Sequence, residues 1–370
     1  MSNIINFSKY THNLLNPVGL DIDNLSAYEF VIDGAVSEGT IVFAGESGCG
    51  KSSLLVGMAL CAAGLTTETY GMRSTETRRH VIYAAEDVGQ VRRIIAAMID
   101  DKTAIPDPTE IAKYFHLVES VRLPPEEIIK AGPQIRELGM YGNHANGGTY
   151  PIEPLVVLDT TNANIDVTNE NDNSEVGRAI ATLRQGFKGC NLWLVAHTAK
   201  AAGSDKPQSA RGASAFKGDV QQMATMYWDG TIQSKILDLT DKVRGELTNH
   251  YFALNKRVVD REVVDKRGIR KMQGLVYSDP HAITRESMEA ERQKKAEAVK
   301  EAKQEAKREA ISTDIVRLLS GSNEAMSKRQ IRHEITGCNN LIGELVDKMV
   351  SDGEIAMGDD RRYRLSTTMV

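Results

Sequence analysis

The stretch from Thr40 to Leu60 reads TIVFAGESGCGKSSLLVGMAL. A short apolar run stops at Gly45, and Gly48 and Gly50 follow before Lys51, Ser52 and Ser53. Gly45-x-x-x-x-Gly50-Lys51-Ser52 fits the phosphate-binding P-loop pattern. Glycines let the backbone take positive φ and aim successive N–H groups inward, forming an anion nest. A helix starting at the loop adds its N-terminal dipole. Gly45, Glu46, Ser47, Gly48, Cys49, Gly50, Lys51, Ser52 and Ser53 are therefore candidate contacts to ATP. Lys51 supplies a point charge for the β and γ phosphates, and Ser52 a hydroxyl for Mg²⁺. An ordinary glycine turn would explain the glycines alone, but not their context. TIVFA reads as a buried parallel strand, and KSSLLVGMALCAAG has helical apolar spacing that stops at glycine.

Hydrolysis needs more than a cradle. PLVVLDTT carries four apolar residues and then Asp159, the Walker B pattern, which makes Asp159 the candidate metal-side carboxylate beside Ser52. HVIYAAED ends a strand in Glu86 and Asp87. Glu86 is the candidate general base, reaching the γ-phosphate through one water, and Asp87 fits better as the N-cap of the next helix. LWLVAH ends a third strand at His197. That histidine is either structural or a phosphate sensor at the carboxyl edge where open α/β sheets gather ligands.

Apolar runs alternate with helix-spaced stretches from Gly39 onward. The strand candidates TIVFA, HVIYAA, YFHLVES, LVVLD and LWLVAH predict a mostly parallel sheet covered by helices, an α/β fold. QQMATMYWDG, HYFALNKRVVD and KMQGLVYSD read as further strands, with SKILDLTDKVRGEL as the one helical candidate among them. YGNHANGGTYP, from Tyr141 to Pro151, reads as a glycine-rich loop. Residues 201–216, AAGSDKPQSARGASAF, read as a surface loop whose Lys206 and Arg211 are either solvated or placed against a nucleic-acid backbone.

The chain has 370 residues and a net charge of −5, so no global basic field announces nucleic acid, although local patches remain open. Its four cysteines, Cys49, Cys61, Cys190 and Cys338, show neither CxxC nor metal spacing. No segment reaches transmembrane length, and a cytoplasmic protein is expected. Residues 1–29 form a lead-in, 30–282 the ATPase domain, 283–310 a charged helical linker and 311–370 a small terminal domain. The linker places Glu297, Glu301, Glu305 and Glu309 on one stripe without an apolar seam, as in a solvated helix. The terminal domain reads as three helices and a hairpin around Gly358-Asp359-Asp360, the order of a winged helix-turn-helix. Its Asn339, Asn340, Arg361, Arg362 and Arg364 suit either duplex DNA or a replication-protein partner.

Taken in order, GESGCGKSS, VIYAAEDVGQVRR, VVLDTTNANIDVTNENDNSEVGRAIATLRQ, LVAHTAK and QSARGASAFKGDVQQM resemble RecA-like hexameric replicative helicases. The resemblance is to the plasmid RepA type and, more distantly, the DnaB type, over about Phe30 to Asp279. It implies a homo-hexamer with ATP between neighbours and single-stranded DNA in a central channel. It implies Lys51 and Ser52 on phosphate and Mg²⁺, Glu86 as base, Asp159 as Walker B and His197 as sensor. Asn162, Asn164, Lys206 and Arg211 fall in the matching channel loops. Lys256 and Arg257 fall where such motors place a finger that reaches a neighbour's ATP. The terminal domain departs from the RepA type, and few aromatics occupy the presumed DNA loops. An ATP-switched DNA-binding regulator or loader, and a recombination ATPase, are the alternative readings.

Overall fold

The computed structural model describes residues 29–145, 147–165, 172–198, 220–243 and 247–366. The chain divides into two compact units, the first ending at Arg285 and the second beginning at Glu286.

The first unit opens with the short strands β1 (Phe30–Ile32) and β2 (Val36–Ser37), then β3 (Thr40–Gly45) and α1 (Lys51–Ala62). There follow β4 (Val81–Ala85), α2 (Val88–Asp100), α3 (Pro108–Tyr114), β5 (Phe115–Glu119) and α4 (Pro125–Arg136). Next come β6 (Met140–Asn143), β7 (Thr149–Ile152), β8 (Leu155–Asp159), α5 (Thr161–Asn164), α6 (Asn173–Gly186) and β9 (Asn191–His197). The unit closes with β10 (Gln222–Asp229), β11 (Ser234–Lys242), β12 (Tyr251–Val264) and β13 (Arg270–Ile283).

Nine strands form one sheet in the order β13-β12-β11-β10-β3-β9-β8-β4-β5. The pairs from β10 through β5 are parallel, and β11, β12 and β13 extend the sheet as antiparallel neighbours. The sheet is thus mixed, where a mostly parallel one was expected. Parallel strands buried on both faces need apolar residues at every position, and here the two faces separate by alternation. Ile41, Phe43, Val81, Tyr83, Leu155, Val157, Trp193 and Val195 join the core under α1 and α2. Val42, Ala44, Ala84, Val156, Leu158, Leu192 and Leu194 join Ile128 of α4 and Val176, Ile180 and Leu183 of α6 on the other face.

Two expectations are corrected. SKILDLTDKVRGEL is no helix over its first nine residues, Ser234–Lys242, which form β11. That run lies between β10 and β12 and takes ladder bonds from both, which outweighs its helix-like spacing. The glycine-rich loop from Tyr141 to Pro151 is a hairpin, β6 against β7, with Tyr141 opposite Pro151. Its exposed residues give no apolar alternation to read.

The second unit contains α7 (Arg285–Gly321), β14 (Met326–Ser327), α8 (Lys328–Glu334), α9 (Asn339–Ser351), β15 (Ile355–Met357) and β16 (Arg362–Leu365). The expected linker and first tail helix are one continuous helix, because no Gly or Pro interrupts residues 285–320. Ser327 and Gln330 close α8 with a reciprocal capping box. Ile311, Ile315 and Leu319 pack with Ile331, Ile342, Val346 and Tyr363 as a separate small core beside the sheet β14-β16-β15. Among the described residues, no helix is long and apolar enough to cross a membrane.

Candidate active site

The parallel register gathers polar groups at one sheet edge. Gly45 ends β3 opposite His197 of β9, and Ala85 ends β4 opposite Asp159 of β8. The Glu86 amide then donates to the Asp159 carbonyl over 2.9 Å, which fixes Glu86 at the adjacent strand tip. The side chains of Asp159 and His197 follow the alternation of Leu155, Val157, Trp193 and Val195, so both stand on the α1 face.

The loop itself adopts the expected conformation. Gly48 and Gly50 have φ of 76° and 94°, the region that side chains disfavour. Gly45 is needed for closeness: a Cβ there would lie 2.8 Å from the Met226 carbonyl oxygen and 2.9 Å from Cys49 Sγ. Glu46, Ser47 and Gly48 are exposed, Cys49 and Gly50 are half-buried, and Ser52 and Ser53 occupy the first turn of α1, half-buried.

Lys51 is 7% exposed. Its Nζ donates to the carbonyls of Gly45 at 2.7 Å and Glu46 at 2.8 Å, and lies 3.4 Å from His197 Nδ1. Burial pulls the ammonium's pKa below the usual lysine range, although Cys49, Asp159 and Glu46 favour its charge. Cys49 shifts the other way: burial raises its thiol, and Lys51 only partly offsets this.

Asp159 is buried, and Oδ2 accepts a hydrogen bond from the Tyr83 hydroxyl at 2.7 Å. Burial first, and the carboxylate second, push the Tyr83 phenol well above its ordinary pKa. Glu86 is exposed. Asp87 caps α2, accepting from the Gln90 amide at 2.8 Å.

The structure brings Lys51, Ser52, Glu86, Asp159 and His197 to one edge, and leaves other candidates elsewhere. Asn164 is buried in α5, and its amide donates to Ser120 Oγ at 3.1 Å and the Thr160 carbonyl at 2.8 Å. These bonds close a local turn. Asn162 is half-buried on the same turn. Lys206 and Arg211 lie outside the described residues.

Lys256 is exposed, and Arg257 donates from Nε and Nη2 to the buried Asp279 carboxylate at 3.1 and 3.0 Å. Arg257 is the cross-strand partner of Tyr277, whose hydroxyl donates to Asp101 at 2.5 Å. Asp101 caps the far end of α2, and a helix of that length puts it about 20 Å from Glu86. Arg257 therefore does not join the phosphate site of its own chain.

Two groups at the site were not read from the sequence. Tyr83 sits 76 residues before Asp159; its only signal is a hydroxyl within an apolar strand, which must find a partner. Lys235 of β11 brings Nζ to 3.0 Å from the position a Gly50 Cβ would take, beside the start of α1. A loop phosphate, a metal held by Ser52 and Asp159, and a water addressed by Glu86 all fit this edge.

A family profile described as AAA domain matches residues 14–203. No curated protein matches the chain. Among solved structures, the KaiC-like protein PH0186 from the hyperthermophilic archaeon Pyrococcus horikoshii OT3 is similar over 63% of this chain and 94% of its own, at 11% identity and a TM-score of 0.38. With the P-loop, the strand-tip carboxylate and the mixed sheet in place, the profile match identifies the chain as a P-loop NTPase belonging to the AAA domain family.

Proposed function

We propose that the chain is an ATP-driven motor on single-stranded DNA, working as a ring of identical subunits like the hexameric helicases its motifs resemble. The observation that supports ATP hydrolysis in this reading is the set at adjacent strand tips, Lys51 against His197 and Glu86 bonded through its amide to Asp159, and the motor part rests on the motif order. In this reading Lys51 exchanges its loop carbonyls for the β and γ phosphates. Ser52 and the Asp159 oxygen not bonded to Tyr83 are the oxygen donors for Mg²⁺, a set that suits a hard cation. Bound Mg²⁺ would neutralise charge on the phosphates. Glu86 orients and deprotonates the attacking water. His197, in contact with Lys51, feels the γ-phosphate and transmits its loss to the residues that follow β9. Lys206 and Arg211, which follow in sequence, meet the DNA backbone, and Lys256 and Arg257 reach a neighbour's nucleotide.

A second reading, an ATP-switched DNA-binding regulator or loader, is favoured by the second unit. Its helices and hairpin follow the order of a winged helix-turn-helix, with Asn339 and Asn340 exposed at the start of α9 and Arg361, Arg362 and Arg364 exposed on the hairpin. One experiment separates the two. Purified protein is assayed for ATPase with and without oligo-dT and imaged with a non-hydrolysable ATP analogue. Stimulation by single strands together with ring particles supports the motor. Duplex binding lost on replacing Arg361, Arg362 and Arg364 by alanine, with no stimulation by oligo-dT, supports the regulator. Inert monomers under all conditions would end the motor reading.

A further inference from the structure

The chain has two tryptophans. Trp193 is fully buried and meets Phe43 edge to face, whereas Trp228 is 56% exposed. The position of Trp228 is specific. Met226 lies opposite Gly45 in the parallel pair of β10 with β3, so Trp228 stands two residues beyond the start of the phosphate loop. It shares a strand face with Ala224 and Met226, which pack in the core under α1. Its antiparallel partner is Lys235, and paired side chains point the same way, with Cβ atoms about 5 Å apart. Lys235 reaches the start of α1, its Nζ 3.0 Å from where a Gly50 Cβ would be. The turn joining the two strands is fixed by Asp229, whose Oδ1 accepts from the amides of Thr231 at 2.9 Å and Ile232 at 3.0 Å.

An indole and an ammonium therefore border the phosphate loop on its β10–β11 side. Asp159 and Glu86 border it on the other, since β8 and β4 lie beyond β9 in the sheet. An exposed aromatic face beside a phosphate cradle has the chemistry of a nucleobase platform, and the adjacent cation suits the phosphate and sugar end. We propose that Trp228 stacks on the base of the nucleotide whose phosphates occupy the loop, with Lys235 alongside. This rests on the nucleotide reading of the loop given above. Stacking on an indole tolerates every base and favours the larger purines over pyrimidines.

The test uses the full chain with Mg²⁺ present, following tryptophan emission and calorimetric affinity for ATP and for inorganic tripolyphosphate. The expected result has three parts. ATP changes an emission component that Trp228→Phe removes. Trp228→Ala weakens ATP by about 5- to 100-fold while tripolyphosphate affinity is unchanged. Trp228→Phe holds ATP within a few-fold of the parent. Unchanged Trp193 emission in the alanine variant shows that the fold persists. Equal losses for ATP and tripolyphosphate, or no loss for either, would overturn the proposal while leaving the phosphate site standing. So would a Trp228 signal that answers oligo-dT and not ATP. Failure of the parent chain to bind either ligand would remove the nucleotide reading itself, and this proposal with it.

Discussion

Tyr83 donates its hydroxyl proton to Oδ2 of Asp159 over 2.7 Å, and both side chains are buried. The bond holds one carboxylate oxygen, and in the proposed reading the other takes the cation. The ring itself stacks on Phe115 with centroids 5.6 Å apart, a contact that phenylalanine would keep. Tyr83→Phe therefore isolates the donor. A hydrogen bond to a charged group contributes about 1.5–3 kcal/mol. The expected result is a Mg²⁺ requirement raised several-fold and turnover lowered about tenfold, with ATP affinity within twofold. A magnesium titration of ATPase activity checks this, and an unchanged curve would reduce Tyr83 to packing.

Glu86 and Asp87 are adjacent and do different work. Asp87 is spent on capping α2, so Asp87→Ala should lower stability by about 1 kcal/mol and leave turnover per folded molecule intact. Glu86→Gln should bind ATP normally and lose turnover by about 100-fold or more. Steady-state hydrolysis beside equilibrium nucleotide binding distinguishes the two variants, and similar activity losses in both would refute the assignment of the base.

Much of this edge was legible because a buried parallel strand is a continuous apolar run, and its first polar residue marks the carboxyl end. That is how Asp159, Glu86 and His197 could be read before the fold was known. Tyr83 could not be tied to Asp159, since strand order and register are set by packing across the whole sheet. Lys235 was missed for a related reason: its strand, β11, has a spacing that also suits a helix. Trp228 lies on β10, which reads as a strand, but nothing in the sequence pairs that strand with β3 and so sets the indole beside the loop. Asn164 was read only from its place after a Walker B strand, and the bond by which it closes its own turn depends on a backbone path that the sequence does not show. The continuous helix from Arg285 to Gly321 was cut in two because composition changes there while helix propensity does not.

Lys51 gives a pH dependence with a definite sign. Its pKa in the folded chain is lowered by burial below the unfolded value. Below the lowered pKa both states are protonated, and the folded state bears the full cost of the buried charge. As pH rises through the lowered pKa toward the unfolded value of about 10.4, that cost is relieved. The nucleotide-free parent should therefore gain stability relative to Lys51→Met as pH rises from neutral toward the unfolded lysine value. Thermal melts of both proteins across that range measure the difference, which cancels the titration of other groups. A constant difference would mean that the ammonium is solvated when the loop is empty.

Gly132 of α4 tests whether the sheet face away from the loop is merely scaffold. A Cβ at that position would lie 1.6 Å from the Gly186 carbonyl oxygen and 2.6 Å from its carbonyl carbon. Both obstacles are backbone, so no rotamer change relieves them. A Cβ on Gly186 would in turn fall 2.6 Å from Ile128 Cγ2, so the two helices meet at their glycines from both sides. Gly132→Ala must push α4 off α6 and loosen Ile128 from Ile180 and Leu183. Overpacking of this kind costs about 1–3 kcal/mol, which for a domain of this size lowers Tm by roughly 2–4 °C per kcal/mol. The phosphate loop lies over the opposite face, under α1, so ATP affinity of the folded fraction should stay within twofold. Melting temperature and calorimetric ATP affinity measured on the same preparation check both halves. A lowered affinity at permissive temperature would show that the α4–α6 layer also sets the geometry of the strand tips.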